Sequence, residues 1–154
     1  MAHKIRLGFV GANVRSNWAS QSHFPALLAS PDVELTAVCT TRPESAEEAR
    51  AALGAKLAFH DVRAMVASLE INAVAVVVRV PSHDAPPRAA LEAGKHVYTE
   101  WPLGRTTAEA EALAALARST GLQTAVGLQS RVSPTLMYMK EQIEARPSRK
   151  PEDI

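Results

Sequence analysis

The segment Gly11-Ala12-Asn13-Val14-Arg15-Ser16 follows an apolar run, Ile5 to Val10, and is the first place where residue types and spacing could do chemistry. A tight turn between a strand and a helix lets backbone N–H groups approach a phosphate, and the helix start adds a favourable field for the anion. The full fingerprint for such a turn is Gly-x-Gly-x-x-Gly, and of its glycines only Gly11 is kept here. Asn13 can take positive φ in place of the second glycine, and Ser16 is small enough for a helix to approach a strand in place of the third. Two readings stand: a pyrophosphate-binding turn built from Gly11, Ala12, Asn13 and Ser16, or a plain strand-to-helix turn.

A second apolar run, Val33 to Cys39, ends in Thr40-Thr41-Arg42. An acidic residue at that place would accept the hydroxyls of an adenosine ribose and repel a 2′-phosphate; here the carboxylate is missing and a guanidinium is present. The pattern favours NADP over NAD, unless Arg42 is a solvated residue ahead of a helix. Arg42 lies 31 residues beyond Gly11 rather than the usual ~20, an excess we assign to a longer loop through Trp18 and His23. A third group, Val80-Pro81-Ser82-His83, closes the most apolar run of the chain. His83 could contact a nicotinamide ribose or serve as a hydrogen-bonded structural histidine. The five histidines, at 3, 23, 60, 83 and 96, lack metal-ligand spacing, so no metal site is expected. Cys39, the one cysteine, sits inside a strand and reads as a small buried apolar residue.

The elements that must position these groups alternate. Strands are expected at Ile5 to Val10, Val33 to Cys39, Leu57 to Phe59, Ala73 to Val80, His96 to Thr99 and Gln123 to Leu128. Between them run a helix after the Gly11 turn, one opened by Pro43 and closed by Gly54, and one capped by Asp61 that runs through Leu69. A fourth ends at Gly94, and a fifth carries the capping box Thr106-x-x-Glu109 and stops at Gly121. A last helix runs from Ser133-Pro134 to about Ala145, followed by a polar tail over 146–154 that should fray. The nearly pure Val/Ala run at 73–80 is the mark of a strand covered on both faces. Together these give an α/β fold with a doubly wound, six-stranded parallel sheet, the Rossmann arrangement, in the order 3-2-1-4-5-6. Residues 1–131 form the dinucleotide-binding domain, and 132–154 a connecting helix and tail. Ligands of such sheets sit beyond the carboxyl ends of the strands, which gathers residues 11–16, 40–42, 81–83 and 100–102 around one crevice.

Composition narrows the classes. The chain has 154 residues, 47% hydrophobic and 21% charged, with a net charge of +1. That suits one folded domain without a nucleic-acid or polybasic membrane footprint. The start of the sequence has no apolar signal segment and no run is long enough to span a bilayer, so a cytoplasmic protein is expected. One cysteine excludes an internal disulfide and fits a reducing compartment.

Three stretches carry a resemblance: Val80-Pro81-Ser82-His83, then the run 90–103 (Ala-Leu-Glu-Ala-Gly-Lys-His-Val-Tyr-Thr-Glu-Trp-Pro-Leu), then Val126-Gly-Leu-Gln129-Ser-Arg131 with Pro134. In these the chain resembles the glucose–fructose oxidoreductase/inositol dehydrogenase (Gfo/Idh/MocA) family over roughly residues 4–145. It is most similar to a branch that includes the fungal galactose-regulon repressor, through residues 8–13, Trp18-Ala19, His23, Pro25-Ala26 and Glu100-Trp101. The resemblance implies a domain that binds a dinucleotide and serves hydride transfer from a sugar or polyol hydroxyl. Val80, Pro81, His83, Glu100, Trp101 and Gln129 would lie by the cofactor, with Glu100 fixing the nicotinamide end. Two departures matter. Family enzymes have Glu-Lys-Pro, and the lysine assists proton transfer; Trp101 stands in its place, and an indole cannot exchange a proton near neutral pH. Trp101 covers the nicotinamide face or packs at a domain seam. The family's C-terminal substrate domain is also absent, so the chain alone is expected to be inactive. The rival expectations are a dinucleotide-sensing regulatory protein and a truncated, inert domain. Leu136, Met137, Met139 and Ile143 are expected to pack on the domain itself or on a second copy in a homodimer.

Overall fold

The computed structural model of the protein describes residues 4–15 and 18–145. Six strands pair in parallel in the order β3-β2-β1-β4-β5-β6, as expected. They are β1 Ile5–Val10, β2 Val33–Cys39, β3 Leu57–Phe59, β4 Ala73–Val76, β5 His96–Glu100 and β6 Thr124–Gly127. The helices are α1 Phe24–Ala29, α2 Pro43–Leu53, α3 Val62–Val66, α4 Ala85–Glu92, α5 Thr107–Thr120 and α6 Pro134–Glu144.

Alternation along the central strands divides the core into two layers. Val10, Val74, Val76 and Val97 face one layer with Met65, Ile71 and Leu91, while Leu7, Phe9 and Ala75 face the other with Phe24 and Ala49. A strand packed on both faces has no polar side to alternate with, which is why the β4 sequence is unbroken Val and Ala. Helix ends follow the sequence signals. The Asp61 carboxylate accepts the Arg63 N–H at 2.7 Å, Thr106 Oγ1 accepts the Glu109 N–H at 3.2 Å, and Gly54 and Gly121 close α2 and α5. The return half of the α5 capping box is shifted by one residue: the Glu109 carboxylate accepts the Arg105 N–H at 2.8 Å.

Several boundaries correct the sequence reading. β4 stops at Val76, not Val80, because β1 has ended: the Val77 N–H makes a last bond to Val10 O at 3.0 Å, and Val80–Ser82 then forms a 3-10 turn. α3 stops at Val66, leaving Leu69 exposed. There Ser68 Oγ accepts the Glu70 N–H, and Lys95 Nζ donates to Ser68 O and Ile71 O, both at 2.9 Å, so the chain gains more from turning than from another helical turn. β6 is confined to Thr124–Gly127, since the Gln123 N–H bonds the His96 ring instead of a strand. The helix expected directly after Gly11 begins later, with a π-helical turn Ala19–His23 ahead of α1, which accounts for the long spacing to Arg42. α6 buries no residue and leans mainly on the preceding 3-10 turn Gln129–Val132, so it does not pack on the sheet. The tail expected to fray, 146–154, lies outside the described residues. No helix among the described residues is long and apolar enough to cross a membrane.

Candidate functional site

The carboxyl ends of β1, β2, β4 and β5 open into one crevice of about 1540 Å³. Gly11, Asn13, Thr40, Thr41, Arg42, Val80, Pro81, His83, Glu100 and Trp101 line it, so the sequence-expected residues converge. Ala12 does not: it is fully buried, with its N–H on Cys39 O. Gln129 reaches the site indirectly, through Glu100. Ser16 lies outside the described residues.

The turn after β1 is built for close approach. Gly11 has φ +88°, and a Cβ there would lie 2.0 Å from Val77 O, so only glycine lets β1 turn this tightly over β4. Asn13 does not adopt the positive φ expected of it; no described residue other than glycine does. Its side chain instead accepts the Arg15 N–H at 2.9 Å, a local turn that asparagine favours. The N–H groups of Gly11, Ala12, Asn13 and Arg15 all have acceptors within the chain, so the ring of free donors expected at a helix start is not displayed here.

At the end of β2, Thr40 Oγ1 lies 2.7 Å from Ser45 Oγ, and both hydroxyls bond the Arg42 carbonyl, at 2.9 and 3.0 Å. The Arg42 backbone is thereby pinned at the mouth of α2. Its side chain stays exposed in the crevice, with no ion pair among the described residues. An unpaired guanidinium on a fixed backbone is a ready anion partner.

The other end is held rigidly. His83 is 1% exposed, its Nδ1 2.5 Å from Pro102 O and its Nε2 2.8 Å from Val78 O, so it ties the segment after β4 to the segment after β5. Of the two readings left open for His83, the structural one fits, because neither ring nitrogen is free for a ligand. Glu100 is also committed. Oε1 accepts the Tyr98 hydroxyl at 2.8 Å, Oε2 accepts the Gln129 amide at 2.8 Å, and His23 Nε2 lies 3.0 Å from Oε1. The last contact has the distance of an ion pair without the alignment of a hydrogen bond. Burial, reinforced by the bond to Glu100, pushes the Tyr98 phenol up to about 12. Trp101 and Trp18, 64% and 48% exposed, present two indoles to the crevice. Arg15 lines the crevice with the rest of the first turn, as expected, but the sequence reading missed Ser45, Glu48 and His60; no fingerprint marks them, because α2 and the segment after β3 bring them in by topology alone.

A parallel sheet of this order, with a glycine turn after β1 and a crevice spanning the β1/β4 switch point, defines a dinucleotide-binding domain. The Gly11 cradle, the free Arg42 and the exposed indoles fit such a ligand. The chain belongs to the Gfo/Idh/MocA family, the oxidoreductase family with an NAD-binding Rossmann fold, whose model matches residues 5–128. It is 38% identical over 147 residues to the dehydrogenase aclE of Aspergillus oryzae, covering 92% of this chain and 40% of that protein. It is 32% identical over 151 residues to the galactose/lactose metabolism regulatory protein GAL80 of Saccharomyces cerevisiae, covering 92% of this chain and 35% of that one. Among solved structures, KijD10, a 3-ketoreductase from Actinomadura kijaniata in complex with NADP, superposes with a TM-score of 0.83 at 28% identity, over 92% of this chain and 44% of that one. The chain thus spans about two-fifths of the length of these relatives.

Proposed function

We propose that this chain is the NADP(H)-binding domain of an oxidoreductase that acts on a sugar or polyol hydroxyl by hydride transfer, and that the 154-residue chain alone does not turn over. The observation that carries the cofactor assignment is the Arg42 guanidinium, without an ion pair among the described residues, on a backbone whose carbonyl is held by Thr40 and Ser45 where a carboxylate would select NAD. Arg42 holds the 2′-phosphate, the turn from Gly11 to Ser16 with Ala12 behind it borders the pyrophosphate, and Glu100 with Val80, Pro81 and Trp101 borders the nicotinamide end. The bound cofactor supplies the hydride chemistry. Around that end Glu100, His83 and Tyr98 are engaged in hydrogen bonds and Trp101 cannot carry a proton, which supports inactivity of this chain; His23, with its Nε2 3.0 Å from Glu100 Oε1 and without a hydrogen bond, is the exception.

Calorimetric titration tests the reading: NADPH binds more tightly than NADH, and Arg42→Ala removes the preference by costing about 1.5–3 kcal/mol. Equal affinities in the parent refute it. Steady NADPH production with a polyol panel would refute inactivity, and Trp101→Lys should not restore turnover.

A second reading, a dinucleotide-sensing regulatory protein, draws on Trp101 in the lysine position and on the likeness to a regulatory relative. Dinucleotide-dependent partner binding without turnover would favour it. In either case we place the protein in the cytoplasm without a nucleic-acid partner, given its balanced charge, and assign the exposed α6 face to a homodimer. Light scattering that reports a monomer at high concentration would exclude the dimer.

A further inference from the structure

The loop that carries Gly11 also carries a cation that the reading above leaves unused. Arg15 Nη2 lies 2.9 Å and Nε 3.1 Å from Glu48 Oε1, a fork closed on one carboxylate oxygen. The pair joins the β1 loop to α2 across the adenosine end of the crevice, and both side chains line it beside Arg42, Glu44 and Ser45. Glu48 stands six residues beyond Arg42, about 9 Å of helical rise, and Glu44 lies one turn nearer on the same side. The backbone of Arg15 is fixed by the Asn13 side chain, so its guanidinium swings from an anchored point.

We propose that Arg15 is a second determinant of 2′-phosphate recognition, with Glu48 as its resident counter-ion until a phosphorylated ribose takes that place. This rests on the reading of the crevice as an NADP site. The exchange is favourable by its chemistry. The side chains of Arg15 and Glu48 are 79% and 43% exposed, and ion pairs that exposed contribute little. A guanidinium on a phosphate dianion makes stronger, forked, charge-assisted bonds. A dinucleotide without the 2′-phosphate gains nothing by breaking the pair, so Arg15 stays on Glu48 and the two cofactors are discriminated further. The same pair gives a reason for carboxylates in a crevice that binds an anion: they neutralise its cations when no ligand is there, and Glu48 opposes the phosphate by like charge.

The test is calorimetric titration of the full chain with NADPH, NADH, 2′,5′-ADP and 5′-ADP, for the parent, Arg15→Ala, Arg15→Lys, Glu48→Gln and Arg42→Ala. Arg15→Ala should weaken NADPH and 2′,5′-ADP on the order of tenfold while NADH and 5′-ADP change by less than about twofold. Arg15→Lys should recover part of that loss, and Glu48→Gln should strengthen only the two 2′-phosphorylated ligands. Added salt should erode the NADPH preference more steeply in the parent than in Arg15→Ala. Because both side chains are exposed, unchanged urea midpoints will show that the variants fold. Equal weakening of NADPH and NADH by Arg15→Ala would overturn the proposal, as would a Glu48→Gln variant that binds NADPH no better than the parent. If Arg42→Ala abolishes the preference while Arg15→Ala is silent, this inference falls and the NADP reading stands; if the parent has no preference, both fall.

Discussion

Alanine at Gly11, compared with alanine at Gly54, separates the cost of a strained backbone from the cost of lost space. Both glycines have positive φ, +88° and +67°, but a Cβ on Gly54 meets nothing within 4 Å, whereas one on Gly11 meets Val77 O at 2.0 Å, Val77 C at 2.9 Å and Val78 Cγ1 at 3.0 Å. The left-handed conformation costs a non-glycine residue about 1–2 kcal/mol, offset by about 0.4–1 kcal/mol because alanine restricts the unfolded chain. Gly54→Ala should therefore destabilise by roughly 1 kcal/mol or less. At Gly11 the Val77 carbonyl would also have to retreat by more than about 1 Å to reach normal contact. The Val77 N–H is the last link between β1 and β4, so that retreat strains the centre of the sheet. Overpacking of this kind adds about 1–3 kcal/mol, giving a total near 3 kcal/mol for a domain whose stability is of order 5–15 kcal/mol. With a urea dependence of ~1–3 kcal/mol per molar, the midpoint should fall by about 1–3 M. Both tryptophans lie on the crevice, so their fluorescence reports the melt and the state of the site together. If the two variants differ by less than about 0.5 kcal/mol, the close approach of β1 to Val77 is not the reason for glycine at position 11.

Further outcomes follow from Cys39, Tyr98 and Lys95. Burial, helped by the nearby Asp61 charge, pushes the Cys39 thiol up to about 11, so a thiol reagent at pH 9 should label the native protein far more slowly than the urea-unfolded chain; prompt labelling of both would contradict its burial. The raised thiol pKa means the native state keeps the proton longer, so this group's contribution to stability is present below pH 9 and lost between about 9 and 11. In a Tyr138→Phe background, ultraviolet titration should show the remaining tyrosine, Tyr98, ionising near pH 12, and Glu100→Gln should lower that value; an ordinary phenol would disprove the Tyr98–Glu100 bond. Lys95→Met should destabilise by about 1.5–3 kcal/mol, because the buried Ile71 carbonyl and the half-buried Ser68 carbonyl lose their charged donor. A melt indistinguishable from the parent would mean that solvent replaces the ammonium.

The sheet was legible because its signals are local and redundant. The glycines at 54 and 121 and the proline at 43 each fix a boundary through backbone chemistry that the neighbouring residues cannot override, and the Val/Ala run at 73–80 marks a strand covered on both faces. The ends of β4 and α3 were not legible, since each is decided by a partner distant in sequence: Val10 in the first case and Lys95 in the second. The same distinction runs through the site. Arg42 and Arg15 could be placed at the crevice from their positions after strands, but the pairing of Arg15 with Glu48 is set by α2, and His83 became structural only through carbonyls at 78 and 102. Asn13 shows a subtler failure, for a residue chosen as a glycine substitute by its tolerance of positive φ is used here for its side-chain acceptor.

The two ends of the crevice differ in the freedom of their polar groups, and the difference bears on function. At the α2 end, among the described residues, Arg42 has no ion pair and Arg15 is held by an exposed, readily exchanged carboxylate, so charge is available to a ligand at little cost. Beside Trp101, His83, Glu100, Tyr98 and Gln129 satisfy one another or the backbone, and a ligand gains there mainly by contact with the indoles. General acid–base catalysis needs a group that can take up or release a proton within reach of the reacting atoms, and a carboxylate saturated by internal donors is a poor candidate. Glu100 and His83 are committed in this way, whereas His23 Nε2, 3.0 Å from Glu100 Oε1, is buried without a hydrogen bond among the described residues and is the group there with proton-carrying capacity to spare.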